Sequence, residues 1–156
     1  MFTKLNIWQA FHKIWINPES EDLTTFWTCY GVYKYKVMLF ELINRPAIFQ
    51  CYINDLFLDY LNQFMTVFID DILVYSENEL EHKEHIIKVL NRLRKAGLQA
   101  NIRKYKFYIT QTKYLGFIVG VNRIEINPAK IVIIKDWEPP STVKRVQLFL
   151  GFCNFY

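Results

Sequence analysis

The sequence predicts an α+β domain. Three observations point to it: short β-branched and aromatic runs at hairpin spacing, two longer segments whose apolar residues recur every three or four positions, and a composition suited to one packed unit. At 156 residues, 52% apolar and 22% charged, with only 5 Gly and 5 Pro, the chain is neither disordered nor collagen-like. A chain of this size hides roughly 70% of the surface that its unfolded form exposes, so a core forms without disulfides or metals. Cys29, Cys51 and Cys153 are odd in number and far apart, with no Cys-x-x-Cys pair, which points to a reducing compartment. Met1 to Trp15 lacks the features of a secretory signal, and every apolar run is interrupted before membrane-spanning length. An intracellular protein without signal peptide or transmembrane segment is expected.

Taken in order, Phe2 to Ile7 and Lys13 to Ile16 read as extended, the second ending at the turn Asn17-Pro18-Glu19-Ser20. Thr24 to Cys29 and Tyr33 to Val37 flank Tyr30-Gly31 as a hairpin. Pro46 opens a helix whose apolar positions are Ile48, Phe49, Tyr52, Ile53, Leu56, Phe57 and Tyr60. Phe64 to Ile69 and Ile72 to Tyr75 are separated only by Asp70-Asp71, a tight hairpin. Ser76 and Glu79 form a capping box for a helix with one apolar face (Ile86, Val89, Leu90, Leu93) that ends at Gly97. Lys113 to Val119 and Arg123 to Ile126 read as strands, and Asn127-Pro128 starts a short helix to Trp137. Beyond Pro139-Pro140, Ser141 or Thr142 caps a last helix. Its stripe of Val143, Val146, Phe149, Leu150 and Cys153 wants a partner surface, so the chain reads as truncated at its C-terminus.

Charge is segregated. Residues 1–78 carry five Lys and Arg against nine Asp and Glu, a net of −4, and residues 79–156 carry fourteen against six, a net of +8. One half collecting cations and the other holding a polyanion would produce this split, as would solvated basic helix faces. Arg92, Arg94, Lys95, Arg103, Lys104 and Lys106, interleaved with Tyr105, Phe107 and Tyr108, suit a phosphate backbone with stacking partners and carry no base-specific signal. His82 and His85, one turn apart beside Glu81 and Glu84, fit a solvated helix surface better than a metal site.

Asp70-Asp71 is the sharpest feature. Adjacent carboxylates between two apolar strands repel and are costly to desolvate unless a cation meets them, although Asp is also a good turn former at a solvated hairpin tip. Mg²⁺ takes one or two carboxylates and leaves its other positions to water and phosphate.

The surrounding residues resemble a known family. Phe68-Ile69-Asp70-Asp71-Ile72-Leu73-Val74-Tyr75-Ser76 is similar to the aspartate-pair motif of reverse transcriptases, in the form found in gypsy-class long-terminal-repeat retrotransposons. Leu5-Asn6-Ile7 with Ala10-Phe11-His12-Lys13-Ile14 resembles the first metal-binding motif, Tyr30 to Met38 the following strand, and Pro46-Ala47-Ile48-Phe49-Gln50 the palm helix. Glu81-His82 with Leu98 fits the next helix, Tyr114-Leu115-Gly116-Phe117 resembles the primer grip, and Phe149-Leu150-Gly151 with Asn154-Phe155-Tyr156 the thumb entrance.

The resemblance implies a single reverse transcriptase domain fragment: a palm-like antiparallel sheet backed by helices with incomplete fingers over 1–120, and the start of the thumb over 121–156. It implies an RNA-directed DNA polymerase in which carboxylates hold two Mg²⁺ ions. Asp70 and Asp71 would be the metal ligands, Asp70 the more direct, with position 6 the third catalytic site. Phe11, Phe40 and Gln50 would bind the nucleotide, Phe11 as a plate beneath the sugar unless it is ordinary core. Tyr114, Leu115, Gly116 and Phe117 would grip the primer, with Tyr114 and Phe117 equally suited to a strand core and Gly116 marking a close backbone approach. Implied partners are an RNA template with a DNA primer, or an RNA–DNA hybrid, dNTP and the remaining polyprotein segments, in the cytoplasm or in virus-like particles.

The chain departs from the family where its first motif reads Leu-Asp-Leu: Asn6 stands at the aspartate. A neutral amide lacks the charge to bridge two cations. Met-Pro-Phe-Gly-Leu reads Met38-Leu39-Phe40-Glu41-Leu42, placing a carboxylate where a triphosphate would enter. Ala47-Ile48-Phe49-Gln50, Phe26-Trp27-Thr28-Cys29-Tyr30, Tyr105 and Asn122-Arg123 depart as well, and each change is reachable by one C-to-T or G-to-A transition. A decayed, catalytically inactive copy is expected. The alternatives are a non-catalytic nucleic-acid-binding remnant and an α/β interaction domain.

Overall fold

The computed structural model describes residues 1–8, 10–39 and 42–156; Phe40 and Glu41, and the side chain of Phe11, therefore lie outside the described residues. The chain forms two units, Met1–Ile109 and Thr110–Tyr156.

In the first unit the central strand is β1 (Phe2–Trp8). β2 (Phe26–Thr28) and β3 (Gly31–Tyr33) form a separate two-stranded hairpin. α1 (Arg45–Leu56) leads into β4 (Met65–Phe68) and β5 (Asp71–Tyr75), then α2 (Glu79–Lys95), β6 (Gln99–Ala100) and β7 (Lys106–Ile109). The sheet order is β4-β5-β1-β6, with β7 also on β1, and every pairing is antiparallel. The expected arrangement is met: segments 2–7, 64–69 and 72–76 lie side by side, and helices starting at 45 and 79 cover the sheet.

Alternation explains the sheet's two faces. Thr3, Leu5 and Ile7 of β1 point inward, where Leu5 and Ile7 join Val67, Ile72 and Val74 of the neighbouring strands. Onto this face α1 lowers Phe49 and Ile53, four apart, and α2 lowers Ile86, Val89 and Leu93. Each fully buried side chain of this kind contributes roughly 1.5–3 kcal/mol. Acidic residues in the first turn of α2 (Glu79, Glu81) and basic ones in its last (Arg92, Arg94, Lys95) complement the helix dipole, and Gly97 (φ 67°) closes it.

Four expectations are corrected. Asn78, not Ser76, caps α2, its side chain accepting from the Glu81 amide at 2.9 Å. Ser76 is instead hydrogen-bonded to two imidazoles, 2.9 Å from His82 Nδ1 and 2.7 Å from His85 Nδ1. His82 is fully buried rather than solvated: its Nε2 meets Thr3 Oγ1 at 2.8 Å, and the His85 ring stacks on Phe64 at 4.0 Å. The first hairpin is displaced, since β3 covers 31–33 and the segment after it contributes only an isolated bridge from Val37 to Trp15. The segment read as extended at 13–16 begins instead in a 3₁₀ turn, Ala10–Lys13.

In the second unit β8 (Gln111–Tyr114), β9 (Phe117–Gly120) and β10 (Ile124–Ile126) form a three-stranded antiparallel sheet, followed by α3 (Pro128–Lys135) and α4 (Val143–Phe155). The stretch 113–119, read as one strand, is a tight hairpin. Leu115 (φ 50°) and Gly116 (φ 87°) make its turn, so the glycine is required by left-handed backbone. The space beside its Cα is filled by the Tyr156 ring, a side-chain approach rather than a backbone one.

Candidate functional site

The β4–β5 hairpin places the two aspartates differently. Asp70 lies in the turn and Asp71 starts β5, in register with Asn6 of β1. The turn begins at Ile69, which holds a left-handed φ of 53° despite its β-branched side chain. Three hydrogen bonds to its backbone hold this strained corner. Gln50 on α1 accepts from the Ile69 amide at 2.7 Å and donates to the Val67 carbonyl at 3.3 Å and to Asn54 Oδ1 at 2.8 Å. The Ile7 amide donates to the Asp70 carbonyl at 2.8 Å. Gln50, expected at the nucleotide, thus spends its amide on the backbone of the hairpin.

Asn6 joins the pair chemically. Its Nδ2 donates to Asp70 Oδ2 at 2.8 Å and to Asp71 Oδ1 at 3.1 Å. Asn6 lies on the face of β1 opposite the core yet is only 8% exposed. From the same face, two residues earlier, Lys4 places its Nζ 3.0 Å from Asp71 Oδ2. Carboxylates that would otherwise repel are bridged by one amide and one ammonium.

This donor set does not fit a two-ion centre. The amide faces the carboxylates through N–H groups, which cannot ligate a cation, and the described residues contain no group of three or more His, Cys, Asp or Glu able to hold one.

Beyond β1 on its other side lies the basic segment. The Asn101 amide donates to the Asn6 carbonyl at 2.8 Å, anchoring a 3₁₀ turn, Ile102–Lys104, against the strand that carries the site. Arg103, Lys104 and Lys106 are exposed there, and Lys106 lies in register with Lys4. Arg94 and Lys95 are exposed at the end of α2. Arg92 is committed elsewhere: it donates to the Leu56 carbonyl at 3.0 Å and the Tyr60 hydroxyl at 3.1 Å, and its guanidinium lies 4.6 Å from the centre of the Tyr60 ring. Tyr105 packs on the core, where burial pushes its hydroxyl pKa up, while Phe107 and Tyr108 stay partly exposed. In the second unit Tyr114 is buried and Phe117 packs against the rings of Phe155 and Tyr156.

Sequence reasoning missed Lys4. A lone strand lysine is no signal by itself, but its two-residue spacing from Asn6 puts it on the same face.

An antiparallel sheet backed by two helices, with a carboxylate pair on a hairpin laid against its central strand, is a palm-like arrangement. The sequence model of one family, reverse transcriptase (RNA-dependent DNA polymerase), matches residues 1–119, and the chain belongs to that family. It is 37% identical over 155 residues to the retrovirus-related Pol polyprotein from transposon opus of Drosophila melanogaster, covering 99% of this chain and 16% of that protein. The Pol polyprotein from transposon gypsy of the same organism is 31% identical, with 99% and 15% covered. The Tf2-3 polyprotein of Schizosaccharomyces pombe is 31% identical, with 99% and 12% covered. The chain thus spans less than a fifth of the length of these relatives. The fold matches foamy viral protease-reverse transcriptase in complex with RNA/DNA hybrid (TM-score 0.77, 23% identity, covering 99% of this chain and 21% of that one). It also matches a form of that enzyme in complex with double-stranded DNA (TM-score 0.83, 23% identity, 99% and 27%). The chain is a reverse transcriptase domain, similar in sequence to Pol polyproteins of transposons. No described helix is long and apolar enough to cross a membrane.

Proposed function

We propose that this chain is the template–primer-holding part of a retrotransposon polymerase whose catalytic centre is closed. By descent it is an RNA-directed DNA polymerase using dNTP and two Mg²⁺ ions, and in this copy the substitution at position 6 removes catalysis. The observation that carries this is the bonding of Asn6: where a third carboxylate would help to hold cations, an amide donates to both remaining ones. The first unit together with the β8–β9 hairpin is assigned to the palm with part of the fingers, and the rest to the start of the thumb.

Nucleic-acid holding is favoured by the placement of Arg103, Lys104 and Lys106 beside β1, with Arg94 and Lys95 close in sequence. Such a surface grips phosphates without reading sequence. An RNA–DNA hybrid should therefore bind with strong salt dependence, because released counterions supply the affinity. With about five phosphate contacts, binding should weaken on the order of 10²–10³-fold between 50 and 200 mM salt. Filter binding at the two salt concentrations tests this; equal affinity at both, or none at either, would leave only an interaction domain.

A further inference from the structure

We propose that Lys4 is a positioning residue that serves the aspartate pair as a built-in cation, so that a divalent ion reaches Asp71 only by competing with its ammonium. The Lys4 Nζ lies 3.0 Å from Asp71 Oδ2, with side-chain exposures of 21% and 26%, a half-buried setting in which water screens the pair incompletely. Strand geometry dictates the contact. Lys4 and Asn6 share a face of β1, Asn6 pairs with Asp71 and Lys4 with Leu73, so Lys4 meets Asp71 along the diagonal between neighbouring strands. On its other side Lys4 stands opposite Lys106 of β7, a like-charge neighbour that disfavours a swing away from the acid.

The two oxygens of Asp71 are thereby divided, Oδ1 receiving the Asn6 amide and Oδ2 the Lys4 ammonium. Asp70 receives the same amide on Oδ2. The pair is already served by donors from β1, and the hairpin keeps its geometry without metal. The assignment of the pair as the family's metal-binding carboxylates is taken from the proposed function, and it enters here through the choice of a divalent ion as probe.

Mn²⁺ binding to the whole chain, followed by the loss of free-ion paramagnetic resonance signal, tests the proposal. Lys4→Met keeps the length of the stem and removes the charge, and should bind Mn²⁺ about tenfold more tightly than the parent, since one positive charge a few ångström from a divalent ion is removed. Lys4→Arg should stay within about twofold of the parent. In an Asp71→Asn background the Lys4→Met gain should vanish, because Lys4 acts through Asp71. A merely structural lysine would lower the melting temperature of Lys4→Met without tightening Mn²⁺. Binding that is unchanged, weakened or absent in both parent and Lys4→Met overturns the proposal, as does an equal gain with Asn at position 71. Lys4→Gln is read against the same outcomes if Lys4→Met does not fold. Hybrid binding is measured on the basic segment, so either account can fail alone.

Discussion

Asn6→Asp should melt well below the parent in metal-free buffer and recover in millimolar Mg²⁺. The substitution exchanges an amide that donates at 2.8 and 3.1 Å for a third carboxylate at the same place. Two charge-assisted hydrogen bonds are lost, worth about 1.5–3 kcal/mol each, and like charges are brought within hydrogen-bonding distance. The Lys4 ammonium offsets one charge of the three. A net loss of about 2–4 kcal/mol follows, which lowers the melting temperature of a chain this size by roughly 5–15 °C. With Mg²⁺ the sign changes, because an ion bound only by the folded state adds stability by mass action. Paired melts of both chains with and without Mg²⁺ check it. An identical metal response in the two would separate position 6 from the aspartate pair.

The second large effect is acid sensitivity through the buried imidazole of His82 and the partly buried one of His85. The His82 pKa is lowered, first by burial, then by the positive charges of the N-terminal ammonium and His85, against a smaller opposing bond from the Phe2 backbone. The His85 pKa is lowered by burial and Lys88, against Glu81, Glu84 and the Tyr75 backbone. Tyr108 closes the remaining side, its ring edge-on to His82 at 5.3 Å. The lowered values favour the neutral form of both rings; His82 spans Thr3 and Ser76 through its two ring nitrogens, one a donor and one an acceptor, and His85 adds its Nδ1 to the same Ser76 hydroxyl. A folded pKa below the unfolded value of 6.5 means that the unfolded chain takes up protons first. Stability is therefore complete above about pH 6.5 and declines as pH falls from there toward the depressed folded values. Melts at pH 7.5 and 5.5 should differ, with the acid sample lower. The double variant His82→Gln, His85→Gln should be less stable at pH 7.5 yet lose less between the two values. A parent curve flat across that interval would contradict the lowered pKa values of the two imidazoles.

What could be read from the sequence divides by whether the signal is local. The Asp70-Asp71 hairpin was legible because two β-rich runs separated by two turn residues leave one arrangement, and its place beside the strand of Asn6 followed from the motifs, whereas the register of Asn6 with Asp71 came only from the structure. The role of Gln50 was hidden. It depends on the left-handed Ile69, a backbone state that no β-branched residue advertises. His82 was misplaced because Glu81 and Glu84, beside it and His85, make that turn look solvated, although His82 stands four residues before Ile86 on the stripe that continues through Val89 and Leu93. That spacing was the available sign of burial. The 113–119 hairpin was read as one strand because apolar residues flank Gly116 on both sides, and only the glycine marks the reversal.

Primer extension by the parent chain addresses the central claim most directly. An RNA template annealed to a DNA primer, with all four dNTPs and Mg²⁺, should be bound in a salt-dependent way and left unextended, because Asn6 occupies both carboxylates as a donor. Extended product above that of a no-protein control would show that the centre is open, and would contradict the account.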